Sequence, residues 1–399
     1  MWSRTLFLFL IPLSLWADTA DEKSLTDRRN FRGDLQLYTY IIDQPGQVND
    51  AYATALGGSL GYKSHLFYRF GMELEYSGSH ALGNTKNPER LLLFNNDKPS
   101  LHLNTLSQGN LYYQNPTTYF RLGAQTFNTP LFNEDPTRIV PWGATGASIT
   151  YNRVNELTLI AAAINAIRSN TSAVYRKESA SGPIVHGLYF IGGSYYLNDA
   201  NWLQVYYYLA PNLYDSLYLQ YEYRRLLFDT ALVCFGIQYI RTYTNGGIDS
   251  NADTSSAIGG DDVDLAAYKA SMDYAGLDLQ LSYSKNRGQS GINNGYGGLS
   301  KVYTSSMVAN GRKNNRPETW SLKSAYNLLH PYSFGTTELA IWLTKTRYAD
   351  LPDGDFFSTY AHLRQNFSVN TSAYLRWEKI DYAGKDNTTY VRLILKQQF

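Results

Sequence analysis

Apolar and polar residues alternate with a period of two along most of this 399-residue chain. Segments 67–79, 215–224 and 388–399 show the pattern most clearly. Successive side chains of a β-strand point to opposite faces, so each segment would have one apolar face and one polar face. Each segment is roughly ten residues long, the length of a tilted transmembrane strand, whereas strands of soluble sheets average about five or six. The pattern therefore favours an all-β transmembrane barrel, with one face towards lipid and the other towards a wet lumen.

About eighteen such strands can be placed along the sequence. Their first residues lie near Arg32, Asn49, Leu66, His102, Thr117, Ala144, Glu156, His186, Asn201, Asp215, Phe228, Val263, Leu277, Glu318, Gly335, Phe356, Asn370 and Thr388. The connections alternate between short turns and longer loops. The longest loops are 79–101, 127–143, 168–185, 242–262 and 287–317. This alternation predicts an antiparallel outer-membrane barrel with short periplasmic turns and long extracellular loops.

The composition fits a barrel that contacts both lipid and water. Charged residues make up 17% of the chain, below the roughly 25% of a soluble globular domain. Aromatic residues make up 15%, with 35 Tyr and 7 Trp, and such rings are favoured at the two membrane–water interfaces. The formal net charge of +1 gives no reason to expect a nucleic-acid partner. Cys234 is the single cysteine, and its apolar neighbours indicate a packed side chain.

Both ends of the chain carry features of export and assembly. Residues 1–17 look like a signal peptide, with Arg4 at the start, an apolar run over 5–16 and the small residue Ala17 before a polar stretch. We therefore expect residues 18–399 to form the barrel in the bacterial outer membrane, with no folded plug before the first strand. No later stretch of about 18 apolar residues predicts a transmembrane helix. The terminal Phe399 resembles the sorting signal that the barrel-assembly machinery recognises.

One segment resembles a specific family. Residues 119–131 read Tyr-Phe-Arg-Leu-Gly-Ala-Gln-Thr-Phe-Asn-Thr-Pro-Leu, and Asn133-Glu134-Asp135, Arg138 and Pro141 follow. This pattern is similar to the OprD-type substrate-specific outer-membrane porins, and 275–284 and 318–321 agree in order. The resemblance implies an eighteen-stranded barrel with a pore in each chain. It also implies passive diffusion of small carboxylates or amino acids past a row of basic residues that faces an acidic loop.

Strand alternation allows charged residues to be assigned to the lumen. The predicted basic wall of the solute path consists of Arg32, Arg69, Arg121, Lys323, Arg364, Arg376, Arg392 and Lys396. Cations along one wall of a narrow pore would offer an anionic group successive weak sites. Loop 127–143 is the candidate constriction loop, and its charged residues are Glu134, Asp135 and Arg138. An alternative is a generic solvated wall with structural ion pairs, such as Arg376 with Glu378, in which Arg138 only ties the loop to the wall.

Other functions stay open from the sequence alone. A general, non-specific porin would share this architecture, and a surface adhesin or receptor would use long loops such as 287–317. A barrel enzyme would need a nucleophile and a base at the rim, and Ser358 with His362 is the pair that the sequence offers. The six histidines show no metal-ligand spacing, and no phosphate-binding glycine motif joins a strand to a helix, so neither metal nor cofactor is expected.

The predicted partners follow from the predicted location. They are small solutes or ions, outer-membrane lipid and lipopolysaccharide, and the barrel-assembly machinery. The sequence leaves open whether the barrel is a monomer or a trimer, which solute it passes, and whether loop 127–143 folds into the lumen.

Overall fold

The structure is a computed structural model that describes most of the chain from Asn30 to Phe399. The described residues are 30–45, 50–97, 100–153, 156–179, 182–184, 186–228, 230–244, 263–288, 297–298, 301–308, 316–329, 335–349, 354–384 and 386–399. The predicted signal peptide, residues 1–17, lies outside them, as do most of loop 242–262 and much of loop 287–317.

Eighteen antiparallel strands form one closed barrel. They are β1 (Phe31–Asp43), β2 (Ala51–Lys63), β3 (Phe70–Lys86), β4 (His102–Gln114), β5 (Thr118–Gln125), β6 (Gly143–Arg153), β7 (Leu157–Arg168), β10 (Leu188–Asn198), β11 (Asn201–Ala210), β12 (Tyr214–Leu227), β13 (Ala231–Thr244), β14 (Val263–Tyr274), β15 (Leu277–Asn286), β16 (Pro317–Leu329), β17 (Thr336–Tyr348), β18 (Phe356–Asn366), β19 (Thr371–Tyr382) and β20 (Thr388–Gln398). Each strand pairs with its neighbours in the chain, β7 pairs with β10, and β20 closes the sheet on β1. Closure satisfies the backbone hydrogen bonds at both edges, which a lipid environment requires.

The strand number and the architecture predicted from the sequence are confirmed. Every predicted strand start lies within four residues of an observed one. Two further short strands, β8 (Glu178–Ser179) and β9 (Gly182–Pro183), pair with each other in the loop after β7, and a 3₁₀ turn covers Pro88–Leu91. No helix among the described residues is long and apolar enough to cross a membrane.

The predicted two-residue alternation sorts side chains between the two faces of the barrel. On β12, Ser216, Tyr218 and Glu222 are buried while Tyr221 between them is exposed. The same holds on the last strand, where Arg392 is buried and Leu393 is exposed. The exposed apolar side chains lie on the outer face, and many inward side chains are buried.

Arg69 does not belong to the lumen wall, and this part of the prediction is wrong. The alternating pattern does not hold through 67–69, because Phe67 and Phe70 exchange both backbone hydrogen bonds and thereby close a tight turn. Tyr68 and Arg69 at its centre both have positive φ values, 48° and 72°, as in the hairpin turns that match strand twist. The Arg69 guanidinium lies 3.4 Å from the hydroxyl of Tyr113. The preceding residue, Tyr112, is buried and points inwards, so Tyr113 and the Arg69 beside it lie on the outer side of the wall.

Candidate permeation pathway

Residues 127–142, between β5 and β6, lie inside the barrel. On one side the backbone N–H of Leu131 donates to the hydroxyl of Tyr208 on β11 at 3.2 Å. On the other side the hydroxyl of Tyr38 on β1 donates to the carbonyl of Thr137 at 3.1 Å. These two strands lie on opposite sides of the β5–β6 pair, so this segment, the first inner loop, spans part of the lumen.

Residues 301–308 form a second inner loop, although the sequence predicted a long extracellular loop over 287–317. The Tyr303 hydroxyl donates to Glu222 on β12 at 3.1 Å, and the N–H of Val308 donates to Glu378 on β19 at 2.6 Å. Because Val302 and Tyr303 are largely apolar and buried, the segment packs inwards although its loop is otherwise polar.

The two inner loops are bonded to each other. Lys301 Nζ donates to Asn128 Oδ1 at 2.7 Å, and the N–H of Lys301 donates to the carbonyl of Pro130 at 3.4 Å. Four residues before the second inner loop, the carbonyl of Gly297 accepts the N–H of Asn133 at 3.2 Å. The lumen is therefore narrowed from two directions by one connected layer of loop.

Two arginines stand side by side on the inner wall. Arg376 of β19 and Arg392 of β20 are register partners, and both are nine-tenths or more buried. Arg376 Nε donates to the Tyr360 hydroxyl and Arg392 Nη2 to the Tyr40 hydroxyl, each at 3.0 Å. No carboxylate among the described residues lies within 4.0 Å of either guanidinium. Like charges on directly opposed residues repel, so this pair is a positive site without an ion-pair partner among the described residues.

The proposed structural ion pair between Arg376 and Glu378 is not formed. Glu378 instead accepts hydrogen bonds from Ser358 on the wall and from Ser306 and Val308 of the second inner loop. The carboxylate therefore anchors a loop and leaves the neighbouring guanidinium without an anionic partner.

Arg138 brings a third guanidinium to the same place. Its Cζ lies 5.7 Å from the centre of the Tyr40 ring, and Arg392 Cζ lies 4.4 Å from that centre. Arg138 Nε is 3.9 Å from Asp135 Oδ2, and neither Nε nor Nη1 makes a hydrogen bond. Asp135 is buried and accepts bonds from Thr137, so it stabilises the loop and is not an open acidic site.

Glu134 is the half-buried carboxylate of the first inner loop. Its side chain makes no ion pair within 4.0 Å among the described residues. Burial, and then the charge of Glu75, raise the pKa of the Glu134 carboxyl, while Lys301, Lys396 and Arg32 act in the opposite direction. Glu134 therefore shares its surroundings with cations without being neutralised by any one of them.

Two members of the predicted wall are paired with acids near the short turns. Arg32 lies 2.5 Å from Glu73 and 3.4 Å from Glu75. Lys396 lies 3.7 Å from Asp34. Their charges are largely balanced locally, so they contribute less to the potential of the lumen than the arginine pair.

The other three predicted residues differ in what they contact. Lys323 Nζ donates to the carbonyl of Ser305 at 2.8 Å, so it supports the second inner loop. Arg121 is buried, with its Cζ 5.6 Å from the centre of the Phe127 ring under the first inner loop. Arg364 is exposed towards the short-turn end of β18.

The pair offered for a barrel enzyme does not form. Ser358 donates to Glu378 at 2.6 Å. His362 instead bonds through Nε2 to Glu338 at 2.8 Å and through Nδ1 to Tyr360 at 2.9 Å. The hydroxyl and the imidazole thus have different partners, and the arrangement lacks the nucleophile–base contact of covalent catalysis.

Sequence reasoning missed the tyrosines that hold the arginines. Tyr40, Tyr360 and Tyr374 face the lumen, and Arg376 Cζ lies 5.1 Å from the Tyr374 ring centre. In the sequence they are part of the general aromatic excess. The strand alternation could have revealed them, because it assigns them to the same inward face as the arginines. Tyr40, for example, is the register partner of Arg392.

A closed eighteen-stranded barrel with charged side chains around a loop-narrowed lumen defines an outer-membrane channel. The outer membrane porin family OprD matches residues 58–335, more than half of the chain. The chain belongs to this family of porins, which are channels without enzymatic activity in the bacterial outer membrane. No curated protein sequence matches the chain.

The chain is similar in fold to several solved structures. Acinetobacter baumannii OccAB1 has a TM-score of 0.78 and 16% identity, with 93% of this chain and 96% of that chain covered. Pseudomonas aeruginosa OccK8 (OprE) has a TM-score of 0.74 and 17% identity, with 93% and 98% covered. Pseudomonas aeruginosa OpdK, solved with vanillate, has a TM-score of 0.74 and 15% identity, also with 93% and 98% covered.

Proposed function

We propose that this porin passes small organic anions, carboxylates in particular, along Arg138, Arg376 and Arg392. The observation that carries the proposal is the neighbouring Arg376–Arg392 pair, buried and without a carboxylate within 4.0 Å among the described residues. A solute anion that shares the two guanidinium groups would relieve their repulsion and accept charge-assisted hydrogen bonds. Among the predicted wall residues, this pair should therefore offer a solute anion the most favourable binding free energy.

Transport also requires that the solute leave. Arg138 and Arg392 contact the same Tyr40 ring, and Arg392 stands beside Arg376, so an anion can move between guanidinium groups in short steps. Successive sites of moderate strength allow conduction, whereas one strong site would trap the solute.

The acidic side of the path is Glu134 of the first inner loop. A carboxylate that keeps its charge opposite a basic wall would orient a solute with both charges, so amino acids fall within the proposed solute class. The solved OpdK complex with vanillate supports an organic anion for a barrel of this fold. We infer that the two inner loops together form the constriction.

Liposome swelling tests the proposal directly. Proteoliposomes are placed in isotonic solutions of a small monocarboxylate and of its neutral amide, which match in size. Faster swelling in the carboxylate is expected, and the preference should fall in the Arg376→Gln/Arg392→Gln double variant. Lys379→Gln is the control, because Lys379 lies on the outer face of β19 in an ion pair with Asp381. Equal rates for acid and amide in the unmodified protein would refute the proposal.

A further inference from the structure

The outer surface of the barrel changes from apolar to cationic on two strands, β15 and β17, which flank β16. The outward residues of β15 towards its long-loop end are Leu281, Tyr283 and Lys285, and Arg287 follows one residue after the strand. Those of β17 are Ile341, Leu343, Lys345 and Arg347. All four cationic residues are exposed, and together they are called the cationic patch.

The cationic patch lies at the level where the lipid-facing band ends. Lys345 is nine residues beyond Thr336, the first residue of β17, which at about 3.3 Å per residue and a tilt of about 40° is a height of about 23 Å. Arg287 is ten residues beyond Leu277, or about 25 Å by the same geometry. The apolar band of an outer-membrane barrel is about 25 Å tall, so these cations reach the headgroups of the outer leaflet.

Aromatic rings beside the cationic patch mark the same interface. The Tyr283 and Trp320 rings lie 4.6 Å apart, and the Tyr268 and Tyr283 rings 6.5 Å apart, on three adjacent strands. Trp320 is also the register partner of Lys345. Outward rings of this kind anchor a barrel at the membrane–water boundary.

The positive charge of the cationic patch exceeds the negative charge of its two acidic neighbours, Glu318 on β16 and Asp264 on β14, whose backbone carbonyl accepts the N–H of Arg287. Glu318 on β16 is 3.4 Å from Lys285. Arg287, Lys345 and Arg347 make no ion pair with any described residue. On β11 and β12 the outward positions near the long loops instead hold a hydrogen-bonded pair, Tyr207 and Asp215, at 2.9 Å.

We propose that the cationic patch binds the phosphate groups of lipopolysaccharide in the outer leaflet. Guanidinium groups match phosphate oxygens in bidentate geometry, and a lysine adds a point charge. Leu281 and Leu343 directly below would contact the acyl chains of the same lipid. The site faces lipid and not the lumen, so it is independent of the solute that the pore carries.

The test titrates the full-length, detergent-solubilised barrel with fluorescent bisphosphorylated lipid A. Removing a cation near a charged lipid surface weakens binding about fivefold, so Lys345→Gln/Arg347→Gln should weaken it by about 25-fold. The control is Lys86→Gln/Lys379→Gln, which removes two cations that are paired with Asp50 and Asp381 at other points of the outer face. The control should bind as the unmodified protein does.

Two further measurements separate binding to the lipid phosphates from binding to the acyl chains and from binding of free phosphate. Lipid A without phosphates should bind the unmodified protein and the patch variant equally weakly, and inorganic phosphate at the lipid concentration should not displace the label. Heat-dependent gel mobility and single-channel conductance, both expected to be unchanged, show that the patch variant is a folded channel. The proposal is overturned if the patch variant keeps full affinity, if removing the lipid phosphates changes nothing, or if inorganic phosphate alone competes.

Discussion

The arginine pair makes the sharpest prediction. Replacing Arg392 by Gln removes one of two neighbouring guanidinium groups but keeps a polar side chain near Tyr40, to which Arg392 now donates at 3.0 Å. A hydrogen bond to a charged partner contributes about 1.5–3 kcal/mol net. The dissociation constant of a bound carboxylate should therefore rise by about 10-fold to 150-fold.

The assay is block of single-channel current in planar bilayers by a small carboxylate. The unmodified channel should show brief, concentration-dependent interruptions, and Arg392→Gln should need a much higher carboxylate concentration for the same block. Lys379→Gln, on the outer face of β19, should behave as the unmodified channel. Equal block constants for Arg392→Gln and the unmodified protein would refute the role given to this pair.

Three further predictions concern the loops and the end of the chain. Burial raises the pKa of the Glu134 carboxyl, so acidification neutralises it before ordinary carboxyls, and the anion selectivity of the channel should rise as the pH falls. Glu134→Gln should abolish this change, and a flat pH profile of the reversal potential would count against the prediction. Tyr303→Phe loses the bond to Glu222 and should increase open-channel noise, whereas unchanged noise would mean that this bond does not hold the loop. Deleting Phe399, whose backbone pairs with Gly33, should reduce barrel assembly as followed by heat-dependent gel mobility, and normal assembly would argue against a sorting signal.

The barrel was accessible from sequence because its rule is local. A strand that faces lipid on one side and water on the other must alternate apolar and polar residues with a period of two, as exposed Tyr221 and buried Glu222 show. Arg69 shows where this rule stops. A two-residue turn reverses the chain, so parity counted through it assigns a side chain to the wrong face.

The pathway was less accessible because it depends on contacts between distant segments. That Arg376 and Arg392 share one rung depends on strand register, which alternation alone does not fix. The inward course of 301–308 depends on Tyr303 meeting Glu222 about eighty residues away in sequence. Asp135 was predicted to line the pore, but its hydrogen bonds within the loop give it a structural role.

The reversal potential of the unmodified channel in a potassium chloride gradient tests the central claim most directly. A narrow lumen in which, among the described residues, the guanidinium groups of Arg138, Arg376 and Arg392 outnumber the unpaired carboxylate of Glu134 should hold chloride in preference to potassium, so the zero-current potential should lie on the side of the chloride equilibrium potential. A zero-current potential on the potassium side would contradict the account, because it would mean that acidic residues control the constriction.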